Sequence, residues 1–171
     1  MNEIREIVTK TVIGKGKKLI RLEESIVPIN EPFSILGCWI INHDFSATLT
    51  DNLVNLEGTF EVNVWYAYDN NTKTDIAKEN IGYQTEIKIK QKIKDLNNEC
   101  RDVIVRMLQQ PTCTNACIQD EKIVVDIILE VIAEVIGEAK MVVAVLSPVD
   151  NCEPIDDDFE NEINENFMNV N

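Results

Sequence analysis

Ile123-Val124-Val125-Asp126-Ile127-Ile128-Leu129-Glu130-Val131-Ile132-Ala133-Glu134-Val135-Ile136 is the stretch that decides the fold class. Its polar residues, Asp126, Glu130 and Glu134, are spaced by four. That spacing fits a helical stripe, and it also fits one face of a strand. Nine of the 14 residues are Val or Ile. A β-branched side chain is stiff at χ1 and packs well on a pleated surface. The segment therefore reads as one long strand, and Gly137 after it as a turn or bulge before the next.

Outward from this stretch the pattern stays β. Phe60, Val62, Val64, Tyr66 and Tyr68 share one parity, with Glu61, Asn63, Trp65 and Ala67 on the other. Ile81, Tyr83, Thr85, Ile87 and Ile89 alternate with Gly82, Gln84, Glu86, Lys88 and Lys90. Both are period-2 patterns of half-buried strands, and Asp69-Asn70-Asn71-Thr72 between them reads as a turn. Ile35 to Ile41 is almost continuously apolar, which predicts a strand buried on both faces. Val103 to Leu108 and Met141 to Leu146 are further strand candidates. The fold class expected is all-β, an antiparallel sandwich or barrel-like domain.

Charge divides the chain. Residues 149–171 carry eight acids and no base, which leaves 22 acids and 16 bases in residues 1–148. We expect a β-rich self-assembling body, 1–148, and an acidic interaction tail, 149–171, disordered or short-helical. A net charge of −14 repels phosphate backbones and anionic lipid, so neither nucleic-acid binding nor membrane insertion is expected. The opening Met1-Asn2-Glu3-Ile4-Arg5-Glu6 lacks the apolar core of a signal peptide, which predicts synthesis and residence in a cytoplasm.

Catalytic and metal chemistry find little support. None of Ser25, Ser34, Ser46 and Ser147 sits in G-x-S-x-G. His43, in Asn42-His43-Asp44, is the one imidazole. It reads as a polar residue where a buried strand emerges, or as the general base of a hydrolase. Gly14-Lys15-Gly16-Lys17-Lys18 lacks the third glycine and the Lys-Ser/Thr ending of a phosphate loop, and reads as a basic turn between strands. Cys38, Cys100, Cys113, Cys117 and Cys152 read as reduced thiols. Cys113-x3-Cys117 has the spacing of half a zinc site without a second half. No cofactor and no metal are expected.

Three features read as interaction surface. Lys88, Lys90, Lys92 and Lys94 share a parity, which on one extended strand lines four ammonium groups along a face. Such a row either guards an edge or docks an acidic segment. Trp65 lies on the polar parity of its strand and either packs under a loop, the commoner case, or joins an interface. These five are the candidate self-association residues. In the tail, Ile155, Phe159, Ile163 and Phe167 recur every four residues behind Asp156, Asp157 and Asp158. On a helix they form one apolar stripe that folds upon a partner's groove, and these seven are the candidate partner-binding residues.

Four strings, in order, resemble a known family: Ser34-Ile35-Leu36-Gly37-Cys38-Trp39-Ile40-Ile41-Asn42-His43; Val64-Trp65-Tyr66-Ala67-Tyr68 with Asn70-Asn71-Thr72-Lys73-Thr74; Leu108-Gln109-Gln110-Pro111; and Ala133-Glu134-Val135-Ile136-Gly137-Glu138. So does Arg5-Glu6-Ile7-Val8-Thr9-Lys10. The chain resembles the outer spore coat morphogenetic proteins of endospore-forming bacteria, the CotE family. The resemblance implies a non-enzymatic scaffold made in the mother-cell cytoplasm and deposited in the spore coat. It also implies self-association into an oligomer or lattice, recruitment of outer spore coat proteins and anchoring on morphogenetic proteins of the coat basement layer. The residues alone leave two other classes open, a small β-sandwich binding carbohydrate or lipid and a hydrolase built on His43.

Overall fold

In the computed structural model, which describes residues 3–96 and 100–145, every regular element is a strand. They are β1 (Glu3–Ile26), β2 (Ser34–Thr50), β3 (Leu53–Tyr68), β4 (Lys73–Lys88), β5 (Lys90–Gln91), β6 (Asp102–Gln119) and β7 (Lys122–Val145). Two sheets result, β5-β1-β7-β6 and β2-β3-β4. Among the described residues no helix is long and apolar enough to cross a membrane. The chain divides into two compact units. Val8–Lys140 forms one, and residues 3–7 with 141–145 belong to the other. Among the described residues, all of the buried core lies in Val8–Lys140.

The core forms where alternating faces of the two sheets meet. On β7, Ile123, Val125, Ile127, Leu129, Val131, Ala133 and Val135 are fully or almost fully buried. All but Val135 cluster with Val54, Leu56, Phe60, Val62, Val64 and Tyr66 of β3, with Ala77, Ile81, Tyr83 and Ile87 of β4, and with Ile20 and Ile26 of β1, while Val135 packs with Ile13 and Ala139. The fold is the expected antiparallel sandwich, and Ile123–Ile136 is strand throughout.

The hairpin turns follow from residues that tolerate the left-handed region. Asp120 and Glu121 both have positive φ (48° and 65°), the requirement of a two-residue type I′ turn joining β6 to β7. In the four-residue connection between β3 and β4, at the turn expected there, Asp69, Asn70 and Asn71 also have positive φ.

Four expectations are corrected. Ile35–Ile41 is not buried on both faces. β2 is the outer strand of its sheet, and Leu36, Trp39 and Ile41 are exposed while Ile35, Cys38 and Ile40 pack on the core. Gly137 is no turn, because β7 runs straight through it. A Cβ there would lie 2.8 Å from Ile13 Cδ1 and 2.9 Å from Asp95 Oδ1, so close packing accounts for the glycine. The buried Asp95 in turn accepts from Arg101 Nε at 2.8 Å, which closes the linker after β5 on itself, and the Leu96 amide donates to the Glu138 carbonyl oxygen at 2.9 Å, which pins it to β7. Gly14 to Lys18 is no turn either. It lies inside β1, and neither glycine has positive φ. A Cβ on Gly16 would stand 2.4 Å from the Lys88 carbonyl oxygen, and one on Gly14 would stand 2.6 Å from Ile89 Cγ2. These glycines let the chain cross over β1 as it passes from one sheet to the other. Fourth, Lys88 to Lys94 is not one strand. β4 ends at Lys88, Ile89 makes the crossing, and Lys90–Gln91 pairs with β1 in the other sheet.

The contrast between glycines is testable. Gly16→Ala must displace backbone and should destabilise by about 1–3 kcal/mol, the usual range for overpacking. Gly37 has no atom within 4 Å of a built Cβ, so Gly37→Ala should be neutral or stabilise by up to about 1 kcal/mol through the unfolded chain. Thermal melts of the two variants check both.

Candidate functional surfaces

The outer face of β2-β3-β4 carries the first surface. A register shift between Ile35 and Gly37 makes Leu36 an extra residue. Beyond it Gly37 faces Trp65, Trp39 faces Asn63 and Ile41 faces Glu61. On the other side Trp65 faces Ile76, and Asn63 faces Lys78. Cross-strand partners share a face, and diagonal neighbours lie about 7–8 Å apart. Trp39 and Trp65 are therefore diagonal neighbours on one face, exposed by 40% and 44%, with Leu36, Ile41 and Ile76 exposed beside them. Asn63, directly opposite Trp39 and two residues before Trp65, is 2% exposed although it points outward. Its Nδ2 donates to Glu61 Oε1 at 2.9 Å. No loop covers Trp65 among the described residues, which corrects the expectation of a covering loop. Trp39, Leu36 and Ile41 were missed because their run reads as core.

The second surface is a basic groove of about 530 Å³ in which Lys15, Lys17 and Lys18 of β1 meet Lys88 and Lys90 of the crossover, above Ile87 and Ile132. All four lysines of the expected row are exposed, but the structure divides them. Lys88 and Lys90 line this groove. Lys94 lines a separate open hollow with Asp95 and Arg101. The tail residues Ile155, Asp156, Asp157, Asp158, Phe159, Ile163 and Phe167 lie outside the described residues.

Beside the groove runs an ion cluster across three neighbouring strands. Lys15 Nζ stands 2.6 Å from Glu134 Oε1, and Arg106 Nη2 donates to Glu134 Oε2 at 2.7 Å. Lys17 pairs with Glu130 at 2.8 Å. The hydrogen bond from Lys15 holds the Glu134 carboxyl below its ordinary value. Burial opposes this, while the charges of Arg106 and Lys15 add to it.

His43 sits at a second register shift of β2, between Ile41 and Asp44, where Asn42 adopts φ 55°. Its Nδ1 lies 3.0 Å from Gln110 Oε1 and its Nε2 lies 2.8 Å from Tyr83 Oη. An amide oxygen only accepts, so Nδ1 donates to it and Nε2 accepts from the phenol. Burial pushes Tyr83 up to about 12, which keeps it a donor. Both imidazole nitrogens are thus spent linking β2 to β4 and, across the sandwich, to β6. Neither partner is the carboxylate that orients a general base. Among the described residues no three His, Cys, Asp or Glu side chains gather as a metal site.

The family model for outer spore coat protein E matches residues 3–171. The chain belongs to the outer spore coat protein E (CotE) family. The CotE match makes this a protein of the spore coat, and one expected to meet other coat proteins there. No curated protein and no solved structure matches it. The CotE resemblance carried by the four ordered strings places them on β2, β3 with β4, β6 and β7. The first two include both exposed tryptophans of this CotE chain.

Two chemical outcomes follow from the geometry. Because Glu134 is more acidic folded than unfolded, its stabilisation is complete above the ordinary carboxylate pKa and is lost as pH falls through the lowered value. Melting temperature should therefore fall more steeply below about pH 5 in the wild type than in Glu134→Gln, and the two should converge in acid. Separately, burial and then the neighbouring Cys113 push the Cys38 thiol far up, whereas Cys100 is exposed. Iodoacetamide near pH 8 should label Cys100 well before Cys38, as read by peptide mass mapping.

Proposed function

We propose that this CotE-family chain is a structural scaffold of the spore coat that binds copies of itself and holds other coat proteins without turning over a substrate. The observation that carries the reading is the exposed aromatic face formed by Trp39, Trp65, Leu36, Ile41 and Ile76. A contiguous apolar patch rimmed by polar groups marks an interaction site, and tryptophan is the residue most enriched where binding energy concentrates. The occupant we assign is a second copy of the same face. Two copies related by a two-fold axis present identical patches to each other. The patch also carries opposite charges on its own surface, Glu61 beside Ile41 and Lys78 beside Asn63. A two-fold can set Glu61 of one copy against Lys78 of the other. In this reading the protein is made in the mother cell and laid down around the forespore. Basement-layer proteins anchor it, and outer coat proteins attach to what the paired faces leave free.

The same face offers two exposed indoles as diagonal neighbours, which suits a sugar ring. A soluble glycan that shifts tryptophan emission without changing mass would favour that binding-module reading.

The test is light scattering after size exclusion on the full-length chain. Wild type should run as a multiple of 19.5 kDa, and Trp39→Ser with Trp65→Ser should shift it to the single chain while its melting temperature stays close to wild type. Wild type that is monomeric at all concentrations overturns the proposal, as does a double variant that keeps its mass.

A further inference from the structure

We infer that the basic groove of Lys15, Lys17, Lys18, Lys88 and Lys90 is the docking site of the chain's own acidic C-terminal segment, residues 149–171. The groove is anomalous in this protein. Acids outnumber bases 30 to 16, yet five ammonium groups converge here. The register makes Lys15 the direct partner of Lys90, and like charges directly opposite each other on paired strands destabilise the pair. Glu134 compensates Lys15 and Glu130 compensates Lys17. Lys18 Nζ donates to the Glu86 carbonyl oxygen at 2.9 Å. Lys88 and Lys90 have no ion-pair partner among the described residues, and the carboxylate of Glu86 on the same rim is within 4 Å of neither. The arrangement is therefore short of negative charge at Lys88 and Lys90.

The segment that supplies it has matching chemistry. Residues 149–171 hold eight acids and no base, and Ile155, Phe159, Ile163 and Phe167 recur among them. The groove has the complementary make-up, with half-buried Ile132 under a rim of lysines whose methylene stems extend its apolar surface. Twenty-six residues, 146–171, follow the end of β7. Extended, they span up to ~90 Å, enough to reach a groove on the same chain or on a neighbour. Charge steers the encounter and weakens with salt, while the apolar residues hold the docked segment.

The experiment is zero-length carbodiimide cross-linking of the full-length chain, with mass mapping of the isopeptide bonds, at low and high salt. The proposal expects bonds from Asp156, Asp157, Asp158 and Glu160 to Lys18, Lys88 and Lys90, severalfold above those to Lys73, Lys78 and Lys122. An equal mixture of ¹⁵N-labelled and unlabelled chain sorts them into bonds within and between copies, and both support the docking site. Tail bonds spread evenly over surface lysines overturn it, as does their absence. In Lys88→Glu with Lys90→Glu, the bond to the retained Lys18 should fall at least fivefold, whereas in Lys73→Glu with Lys122→Glu it should stay. An unchanged Lys18 bond in the first variant also overturns the proposal. Mass is read on the same samples, so failure of tail docking and failure of face-to-face association are separate results.

Discussion

Everything else in this protein depends on the interdigitation of one face of β7 with the inner face of β2-β3-β4. Six alternate residues of β7, from Ile123 to Ala133, lie against Val54, Leu56, Phe60, Val62, Val64 and Tyr66. A fully buried Val, Leu, Ile or Phe is worth about 1.5–3 kcal/mol, and a shift of one residue in either strand would turn its whole apolar set to solvent. The register is therefore held from inside. What each strand shows outside is then decided residue by residue, without choice for the chain. On β3 the outward parity gives Glu61, Asn63 and Trp65. On β2 two register shifts bring Leu36 out and turn His43 in.

The lysine groove is a second consequence of the same packing. Ile87 belongs to the core and fixes the end of β4, and the Ile89 amide donates to the Asn52 carbonyl oxygen at 2.9 Å at the crossing. The chain then passes so close over Gly14 and Gly16 that two lysine runs far apart in sequence share one hollow. Glu130 and Glu134, on the side of β7 away from the core, neutralise part of that charge and tie β1, β7 and β6 together. A single arrangement of strands thus sets both the acid-sensitive cluster and the basic groove.

Strands with strict alternation were legible. Phe60–Tyr68 and Ile81–Ile89 each place apolar residues on one parity, and that parity is the core side, whereas Ile123–Ile136 carries Val and Ile on both parities and was legible from its β-branched content. Ile35–Ile41 was misread because a continuous apolar run carries no parity. An outer strand with an exposed apolar face and a strand buried on both faces look alike in sequence. β1 went unread because Gly14-Lys15-Gly16-Lys17-Lys18 breaks its alternation, and the reason for those glycines is a contact with Ile87–Lys90. The lysine row failed for a related reason, since parity persists only while a strand does and nothing local marks the crossing at Ile89. The turns at Asp69–Thr72 and Asp120–Glu121 use residues suited to positive φ, but only the first stands between two clean alternations. His43 reads in the sequence as either a polar residue at a strand's emergence or a general base, and its partners Gln110 and Tyr83 are visible only in the fold.

If copies of this protein meet on the exposed aromatic face of β2-β3-β4, as proposed, association must bury its indoles. The chain has two tryptophans, and both are on that face, so intrinsic fluorescence reports its burial without any label. Emission should be followed with mass over a dilution series of the wild-type chain. The account predicts long-wavelength emission in the dilute single chain and a blue shift that tracks the rise in mass as copies associate. A rise in mass with emission unchanged would place the contact elsewhere and contradict it.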